Sequence, residues 1–430
     1  MTAQEPITAN RGAVFPRVAL LALTLLLTLT WICQSAQASS AGRARAQILA
    51  PTPYMGWDTY LGLGPRYSEA NILEQASEMR TRGLLADGYR YIWLDVGWWQ
   101  GQRAANGAIT VNRGQWPHGM RWLTATLHAA GFRVGLYTDA GREGCGGAHE
   151  GSYGRYQQDV NTFAAWGFDA VKVDFCGGVR QHLNPRSAYT SFHQAIVHNA
   201  SHRPMLLSIC DFLEPGQFQG DPAFSGSAFS SYSFGPSIGN SWRTDTDVGS
   251  PDYVTFQTVL RNLDADSTHP EAAGPGHWND PDYLGPDQSL GEAQFATQFS
   301  MWAMLAAPLM VSDDLRSISA ASQQAISNRE VIAVDQDPAG VQGTLLSASG
   351  EGEVWVKPLS DGSRAVALLN RGSEELGIST SASETGMPSA PAYTLRDLWA
   401  HSTHTSTGVI SAQVPGESTV LLRVSPAPSG

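Results

Sequence analysis

Lysine is nearly absent from this chain. Only Lys172 and Lys357 occur among the 27 basic residues, and the 430-residue sequence carries a formal net charge of −12. No stretch of the sequence forms a basic stripe. Nucleic acid and acidic membrane surfaces are therefore excluded as expected partners, because both require clustered positive charge.

The sequence signals of three other kinds of protein are either missing or lack their usual structural context. The 11 histidines are scattered without HxH or HExxH spacing, so we expect no metal at the site. No glycine-rich phosphate loop follows the first predicted strand, so a doubly wound open sheet and a nucleotide cofactor are disfavoured. One G-x-S-x-G match occurs at 235–239, but it follows a Ser/Tyr/Phe stretch rather than an apolar strand. We interpret it as a loop and not as a serine nucleophile elbow.

Long hydrophobic runs are confined to the N-terminus. Two arginines precede an apolar run at 18–32, and the small-x-small pattern Ala-Gln-Ala follows at 36–38. This order predicts a secretory signal over residues 1–38 and then a flexible lead at 39–50. A retained anchor is the alternative, although the run is short for a membrane span. Removal of the signal predicts a secreted, extracellular protein with no membrane association.

Cysteine is scarce, with four in the whole chain. Cys33 lies inside the predicted signal, so the mature chain keeps Cys145, Cys176 and Cys210. In an oxidising compartment, three cysteines predict one disulfide bridge and one free thiol.

From about residue 54 to 335, the sequence alternates short apolar strands with amphipathic helices. About eight such units predict an α/β fold, a (β/α)8 TIM barrel over residues 51–338. After residue 338, short strand-like runs between turn residues predict a C-terminal antiparallel β-sandwich over 339–430. Few titratable groups occur there, so its expected role is packing.

Aspartates mark the ends of the predicted barrel strands, which is where such barrels build their active sites. These residues are Asp95, Asp139, Asp174, Asp211 and Asp280. Several carboxylates at one barrel mouth, in a chain with 13 tryptophans, favour sugar hydrolysis. That chemistry requires two carboxyl groups that flank the glycosidic bond.

The stretch at 169–176, in which residues 170–174 are predicted to form the fourth strand, carries an unusual charge pattern. Lys172 and Asp174 are two residues apart, so their side chains point to the same face of the strand. Opposite charges on one face of an apolar strand require a reason, because burial of charge is costly. An ordinary ion pair at a strand end is the alternative explanation.

Six stretches carry motifs that match one family together and in this order. They are Tyr-Met-Gly-Trp at 54–57, Tyr-Ile-Trp-Leu-Asp at 91–95, Gly-Leu-Tyr-Thr-Asp-Ala-Gly at 135–141, Lys-Val-Asp-Phe-Cys at 172–176, Gly-Pro-Gly-His-Trp-Asn-Asp-Pro-Asp at 274–282, and Ala-Ala-Pro-Leu at 306–309 with Val-Ile-Ala-Val-Asp-Gln-Asp-Pro at 331–338. From about residue 54 through the β-domain, the chain resembles glycoside hydrolase family twenty-seven, the clan D α-galactosidases or melibiases.

The resemblance implies a retaining mechanism through a covalent glycosyl-enzyme. It assigns Asp174 as nucleophile and Asp247 as acid/base, with Asp245 as a nearby rival, and two carboxyl groups ~5–5.5 Å apart. Lys172 is expected to lower the pKa of Asp174 and to keep it ionised. The implied sugar contacts are Trp57, Asp95, Tyr137, Lys172, Asp211, Arg243 and Asp280. The family's bridge maps onto Cys145 and Cys176, which leaves Cys210 as a free core thiol.

The sequence departs from the family pattern at the end of the second strand. Family members usually have two aspartates and a cysteine there, whereas this chain has Asp95-Val96-Gly97. Because the missing carboxylate would contact the sugar's O4 and O6, the sugar is left open. A secreted exo-acting α-galactosidase is the leading hypothesis. The alternatives are an isomaltodextranase-like α-glucan hydrolase, a β-L-arabinopyranosidase, and a catalytically silent carbohydrate-binding protein.

Overall fold

The computed structural model describes residues 1–2, 48–147, 149–211, 230–249 and 253–428. Residues 49–430 form one compact unit. Apart from residues 1–2, the predicted signal lies outside the described residues, as does most of the lead. Within the described part of the chain, we find no helix that is long and apolar enough to cross a membrane.

Eight parallel strands form the predicted (β/α)8 barrel. They run in the sheet order β7-β6-β5-β4-β3-β2-β1-β8. Their bounds are β1 Met55–Asp58, β2 Tyr91–Leu94, β3 Arg133–Asp139, β4 Ala170–Asp174, β5 Leu206–Cys210, β6 Ser241–Arg243, β7 Trp278–Asp280 and β8 Leu309–Val311. The barrel closes beyond β7 through one parallel bridge between Leu284 and Val311. The fold class predicted from the alternating pattern is confirmed.

Register places chemistry-bearing residues of neighbouring strands side by side. Tyr137 of β3 pairs with Lys172 of β4, and Asp139 pairs with Asp174. On the other side of β4, Asp174 pairs with Cys210 of β5. Paired residues in a parallel sheet point to the same face, so Asp139, Asp174 and Cys210 form one row across three strands.

The longer helices cover the outside of the barrel, and short helical turns follow some of the strands at its mouth. They are α1 Tyr60–Leu63, α2 Glu69–Thr81, α3 Leu84–Asp87, α4 Met120–Ala129, α5 Tyr156–Trp166, α6 Cys176–Arg180, α7 Pro185–Val197, α8 Gly235–Ile238, α9 Phe256–Asp266, α10 Glu292–Leu305, α11 Ala320–Ile326 and α12 Arg329–Asp335. The predicted helix from Ser68 to about Leu85 ends earlier, because Gly83 adopts the left-handed conformation (φ 80°).

The loop predicted at 235–239 is instead a single helical turn, Gly235–Ile238. Its Ser237 hydroxyl donates a hydrogen bond of 2.7 Å to the backbone oxygen of Phe234. The loop interpretation was therefore wrong in detail. The hydroxyl is engaged by its own backbone, in a local pattern typical of serine at turns.

Antiparallel strands fill the C-terminal region, as the short apolar runs predicted. A six-stranded sheet has the order β14-β13-β16-β11-β10-β9, and β12 pairs with β15 in a second sheet. The strands are β9 Thr344–Ser349, β10 Gly352–Pro358, β11 Arg364–Asn370, β12 Leu376–Ser381, β13 Tyr393–Asp397, β14 Thr403–Ser406, β15 Val409–Val414 and β16 Ser418–Pro426. Val366, Leu368 and Leu422 share one core with Ile378 and Ile410. The large sheet's other face joins the barrel core through residues such as Trp355 and Leu421.

Candidate active site

Lys172 lies at the centre of the polar cluster at the C-terminal ends of β2, β4 and β7. Its Nζ donates to Asp95 Oδ2 at 2.7 Å and to the Tyr283 hydroxyl at 3.0 Å. The Tyr283 hydroxyl in turn donates to Asp95 Oδ2 at 2.9 Å. Three tyrosine rings also surround the ammonium group, with centroids 5.2–5.7 Å away: Tyr60, Tyr137 and Tyr283.

The charge of Lys172 survives its burial. Removal from water would lower its pKa, but the Asp95 carboxylate raises it, and Tyr283 and other nearby groups add to that effect, so the pKa lies well above its usual range. A fixed cation is therefore available beside Asp95, where hydroxyl groups of a ligand can be held by charge-assisted hydrogen bonds.

Asp174 is 3% exposed and ends β4. Burial raises its pKa to about 7, and the charges of Asp139, Asp247 and Asp95 act in the same direction, while Lys172 lowers it. Lys172 lowers this pKa, as expected, but the net shift is upward, so the expectation that Asp174 is held readily ionised is wrong. The ammonium binds Asp95 directly, so its effect on Asp174 is smaller than the cost of desolvation.

A disulfide joins Cys145 to Cys176, as the family resemblance implied, at a sequence separation of 31. Closure of a loop of that length contributes about 3–4 kcal/mol in the chain-entropy model. Cys145 Sγ lies 3.1 Å from Asp174 Oδ2, and Cys145 N donates to the Tyr137 hydroxyl at 3.0 Å. The bridge therefore forms part of the wall around Asp174. Cys210 is a buried free thiol, as predicted.

Arg243 organises the carboxylates of β6 and β7. Its Nη1 lies 2.9 Å from Asp247 Oδ1, its Nε 3.7 Å from Asp280 Oδ2, and its Nη2 pairs with Asp282. Its guanidinium stacks 4.8 Å over the Tyr283 ring. Burial raises the pKa of Asp282 to about 7, although Arg243 lowers it. Arg243 thereby links Asp247 to the same tyrosine that Lys172 contacts.

Asp247 and Asp245 face different partners. The Asp247 side chain is 27% exposed, binds Arg243, and accepts a hydrogen bond of 3.3 Å from the Tyr60 hydroxyl. Asp245 instead lies 3.6 Å from Arg261 and accepts from the backbone N–H of Thr246. Asp247 is thus the member of the pair that belongs to the cluster around Asp174.

Two of the predicted sugar contacts, Trp57 of β1 and Asp211 after β5, are buried. Trp57 is fully buried, and its indole N–H donates to the Asp313 backbone oxygen at 2.7 Å. Asp211 follows β5 and is also buried. The pKa of Tyr189 in α7 is raised first by the burial of Tyr189 and second by the charge of Asp211. The remaining predicted contacts belong to the network built on Lys172 and Arg243.

One group of described residues has the proximity required of metal ligands. Asp139, Cys145 and Cys176 place one ligand atom each within 4.8 Å of one another. The two sulfurs are bonded to each other, however, and a disulfide sulfur is not a thiolate. With the bridge intact, this group offers a metal a single carboxylate.

Comparison with known proteins identifies the family. Residues 65–337 match the profile described as alpha galactosidase A, and residues 349–424 match the alpha galactosidase C-terminal beta sandwich domain. The alpha-galactosidase A of Cellvibrio japonicus is 34% identical over 422 residues, which cover 94% of this chain and 99% of that protein. The chain belongs to the α-galactosidase, or melibiase, family.

Solved structures agree with this family at the level of the fold. The α-galactosidase I of Mortierella vinacea superposes with a TM-score of 0.78 at 26% identity, over 89% of this chain and 99% of that one. A β-L-arabinopyranosidase of Geobacillus stearothermophilus, in glycoside hydrolase family twenty-seven, has a TM-score of 0.77 at 19% identity, over 89% and 98% of the two chains. The melibiase family resemblance predicted from the motifs is confirmed, and the chain is a glycoside hydrolase of that family.

Other residues in contact with this cluster were not selected by sequence reasoning. Tyr283 bridges the networks of Lys172 and Arg243, and Asp282 pairs with Arg243. Asp58 ends β1, is fully buried, and accepts from Tyr60 N at 2.7 Å. Its pKa is raised well above the usual range by burial and by the charge of Asp95. Asp58 could have been found by the strand-end rule that selected the other aspartates.

Proposed function

We propose that this chain is a secreted exo-glycosidase that hydrolyses terminal α-galactosides with retention of configuration. One observation carries the proposal: Asp174 and Asp247 belong to one electrostatic cluster at the barrel mouth, and the charge of Asp247 raises the pKa of Asp174. One carboxylate is buried and the other is partly exposed to solvent. That asymmetry fits a nucleophile and an acid/base, respectively.

In the proposed first step, Asp174 attacks the anomeric carbon and forms a glycosyl ester. The bond from that carbon to the leaving oxygen breaks, and Asp247 transfers its proton to this oxygen. In the second step, Asp247 accepts a proton from water as the water oxygen attacks the same carbon. The ester bond breaks, and Asp174 is released as a carboxylate.

The surrounding groups are suited to bind and orient the sugar. Lys172 has two of its three N–H donors engaged and offers the third beside the Asp95 carboxylate, and Arg243 holds Asp247 by a 2.9 Å contact. Fixed charges in a buried site bind hydroxyl groups without reorganisation, which favours the transition state. Secretion is supported by the N-terminal signal pattern and is compatible with the disulfide.

A β-L-arabinopyranosidase is the second candidate, because Val96 occupies a position where a sugar-binding carboxylate is expected. An arabinopyranoside lacks the hydroxymethyl group that such a carboxylate would contact. We expect a panel of nitrophenyl α-galactoside, α-glucoside and β-L-arabinopyranoside, with melibiose and isomaltose, to give its highest kcat/KM on an α-galactoside. A preference for isomaltose or arabinopyranoside would replace the sugar assignment, and no turnover of any substrate would indicate a binding protein.

The acid/base assignment is tested by Asp247→Ala. We expect this variant to keep turnover of substrates with very good leaving groups, which need little protonation, and to be accelerated by added azide. Asp245→Ala is the matched control, since its carboxylate faces Arg261. Azide rescue of Asp245→Ala, without rescue of Asp247→Ala, would reverse the assignment.

A further inference from the structure

A buried glutamate outside the proposed catalytic pair, Asp174 and Asp247, accepts hydrogen bonds from the loop that carries Asp95. This segment, residues 95–99, follows β2 and is called the β2 loop below. Glu150 is fully buried, and its Oε1 accepts from Gly97 N at 3.0 Å and from Trp99 N at 2.9 Å. Its Oε2 also lies 3.1 Å from Gly97 N. The carboxylate is thus bound by backbone amides of one short loop.

The backbone of Glu150 is tied to the neighbouring barrel strand. Its carbonyl accepts from Asp139 N at 3.1 Å and from Thr138 Oγ1 at 2.9 Å, at the end of β3. The next residue, Gly151, forms a parallel bridge with Asp139. Glu150 therefore connects the β2 loop to the rigid end of β3, beside the strand that carries Lys172 and Asp174.

The β2 loop cannot easily find other partners for these amides. Gly97 has φ +109°, and a Cβ at that position would lie 2.2 Å from the backbone oxygen of Pro65. The Gly97 carbonyl already accepts from Gln115 Nε2 at 2.8 Å. Without the glutamate, the two amides of a closely packed loop lose their acceptor, and an unsatisfied buried donor is costly.

We propose that Glu150 is a positioning residue for sugar binding, which holds the β2 loop so that Asp95 stays against Lys172 and Tyr283. This inference rests on the proposed function, because it assigns sugar recognition to that network. The burial of Glu150 and the charge of Asp95 raise the pKa of Glu150 to about 8, and its amide donors lower it. The charge of Asp95 therefore affects the pKa of Glu150, whose carboxylate also binds the loop that carries Asp95.

The test compares Glu150→Gln and Glu150→Ala with the wild type. In the isosteric Gln variant one oxygen still accepts from the loop amides, but an NH2 group replaces the second oxygen beside Gly97 N, and Ala removes the acceptor altogether. We expect KM to rise about 10-fold in the Gln variant and more in the Ala variant, with a smaller change in kcat, because uniform sugar binding is lost. The Kd of the free product sugar, measured by calorimetry, should rise in parallel.

Glu353→Gln is the matched control. Glu353 is another buried glutamate, in β10, and it accepts from Trp355 Nε1 at 2.8 Å and pairs with Arg371 at 2.7 Å. We expect this variant to lose melting temperature while KM stays at the wild-type value. If Glu150→Gln behaves in the same way, with only its melting temperature lowered, the inference is overturned.

A crystal structure of Glu150→Gln separates this inference from the proposed function. We expect the β2 loop to move and the Asp95–Lys172 contact to lengthen or break, whatever substrate the enzyme cleaves. An unmoved loop overturns the positioning role even when hydrolysis is found. If the β2 loop does move in crystals of Glu150→Gln but the wild-type enzyme cleaves no glycoside, only the proposed function is contradicted.

Discussion

The two lysines of this chain are both buried, and their surroundings drive their pKa values in opposite directions. At the barrel mouth, Lys172 contacts Asp95 at 2.7 Å, and its pKa is raised. Where the barrel meets the sandwich, Lys357 donates to the carbonyl of Ala303 at 2.7 Å, and burial lowers its pKa to about 8 despite the charge of Asp335.

The difference lies in the partner that each ammonium group contacts. A carboxylate in direct contact compensates for lost hydration, whereas a backbone carbonyl supplies only a dipole. The mouth therefore keeps a permanent positive charge for chemistry, while the junction tolerates a lysine that becomes neutral slightly above physiological pH. Substitutions at the mouth should cost activity, and those at the junction should affect stability.

The largest expected difference is in kcat, between variants of two buried aspartates. Burial raises the pKa of both residues, to about 7 for Asp174 and to about 8 for Asp335. We expect Asp174→Asn to lower kcat by about 10⁴-fold or more, because the nucleophile is removed. Asp335→Asn should keep wild-type kcat. Melting curves at pH 8 should show that both variants fold. Near wild-type activity in Asp174→Asn would show that the nucleophile is another residue.

Substitution of each lysine by methionine should show which of the two contributes to activity and which only to packing. Lys172→Met leaves Asp95 buried without its cation, so we expect kcat/KM to fall about 100-fold or more. Lys357→Met should leave kcat/KM unchanged, because Lys357 contacts Ala303 and not the mouth. Steady-state kinetics on the best panel substrate measure both. Equal losses in the two variants would contradict the division of roles.

The pH profile tests the charges around Asp174. The nucleophile must be ionised and its pKa is about 7, so kcat/KM should fall as the pH drops below that value. Asp139→Asn removes a negative charge that raises this pKa, so the acidic limb of kcat/KM should shift to lower pH. Asp335→Asn, at the junction, should leave the limb in place. A limb that Asp139→Asn does not move would belong to another group.

The smallest effect concerns the stability contributed by Lys357. Its pKa is lowered from 10.5 to about 8 on folding, so the unfolded chain binds more protons between these values. Stability therefore rises with pH in this window, by up to ~1.4 kcal/mol per pH unit from this group. Urea unfolding from pH 8 to 10 should show wild-type stability increasing relative to Lys357→Met. A constant difference between the two would place the lysine pKa outside the window.

Much of the barrel was predictable because its strands are short apolar runs between amphipathic helices. The predicted strand at 170–174 has the observed bounds of β4. In the sandwich, β9 and β14 are not marked by an apolar run and were not predicted. Every residue of β9 is exposed, so no alternation of apolar and polar residues marks it as a strand. Such edge strands are held by backbone pairing, which leaves little trace in the sequence.

The cluster that forms the candidate site was predictable where a motif or a strand end marked it, as at Lys172, Asp174 and Arg243. Tyr283 carried no such mark. It reaches Lys172, 111 positions away in sequence, after a turn in which Asp282 has a positive φ of 88°. The net pKa shift of Asp174 was also beyond the sequence. Spacing indicated the nearby lysine, but the competing cost of burial depends on the packed barrel mouth.

The closure of the barrel has a consequence for amide protection. Between β7 and β8, the described backbone hydrogen bonds are those of Leu284 N to Met310 O and of Ser312 N to Leu284 O, each 2.8 Å long. Sheet contacts this sparse open more readily than full ladders, so these amides should exchange with deuterium earlier than those of β3 and β4. Because Tyr283 precedes Leu284 and contacts Lys172, a bound sugar should slow exchange at this join more than elsewhere in the barrel.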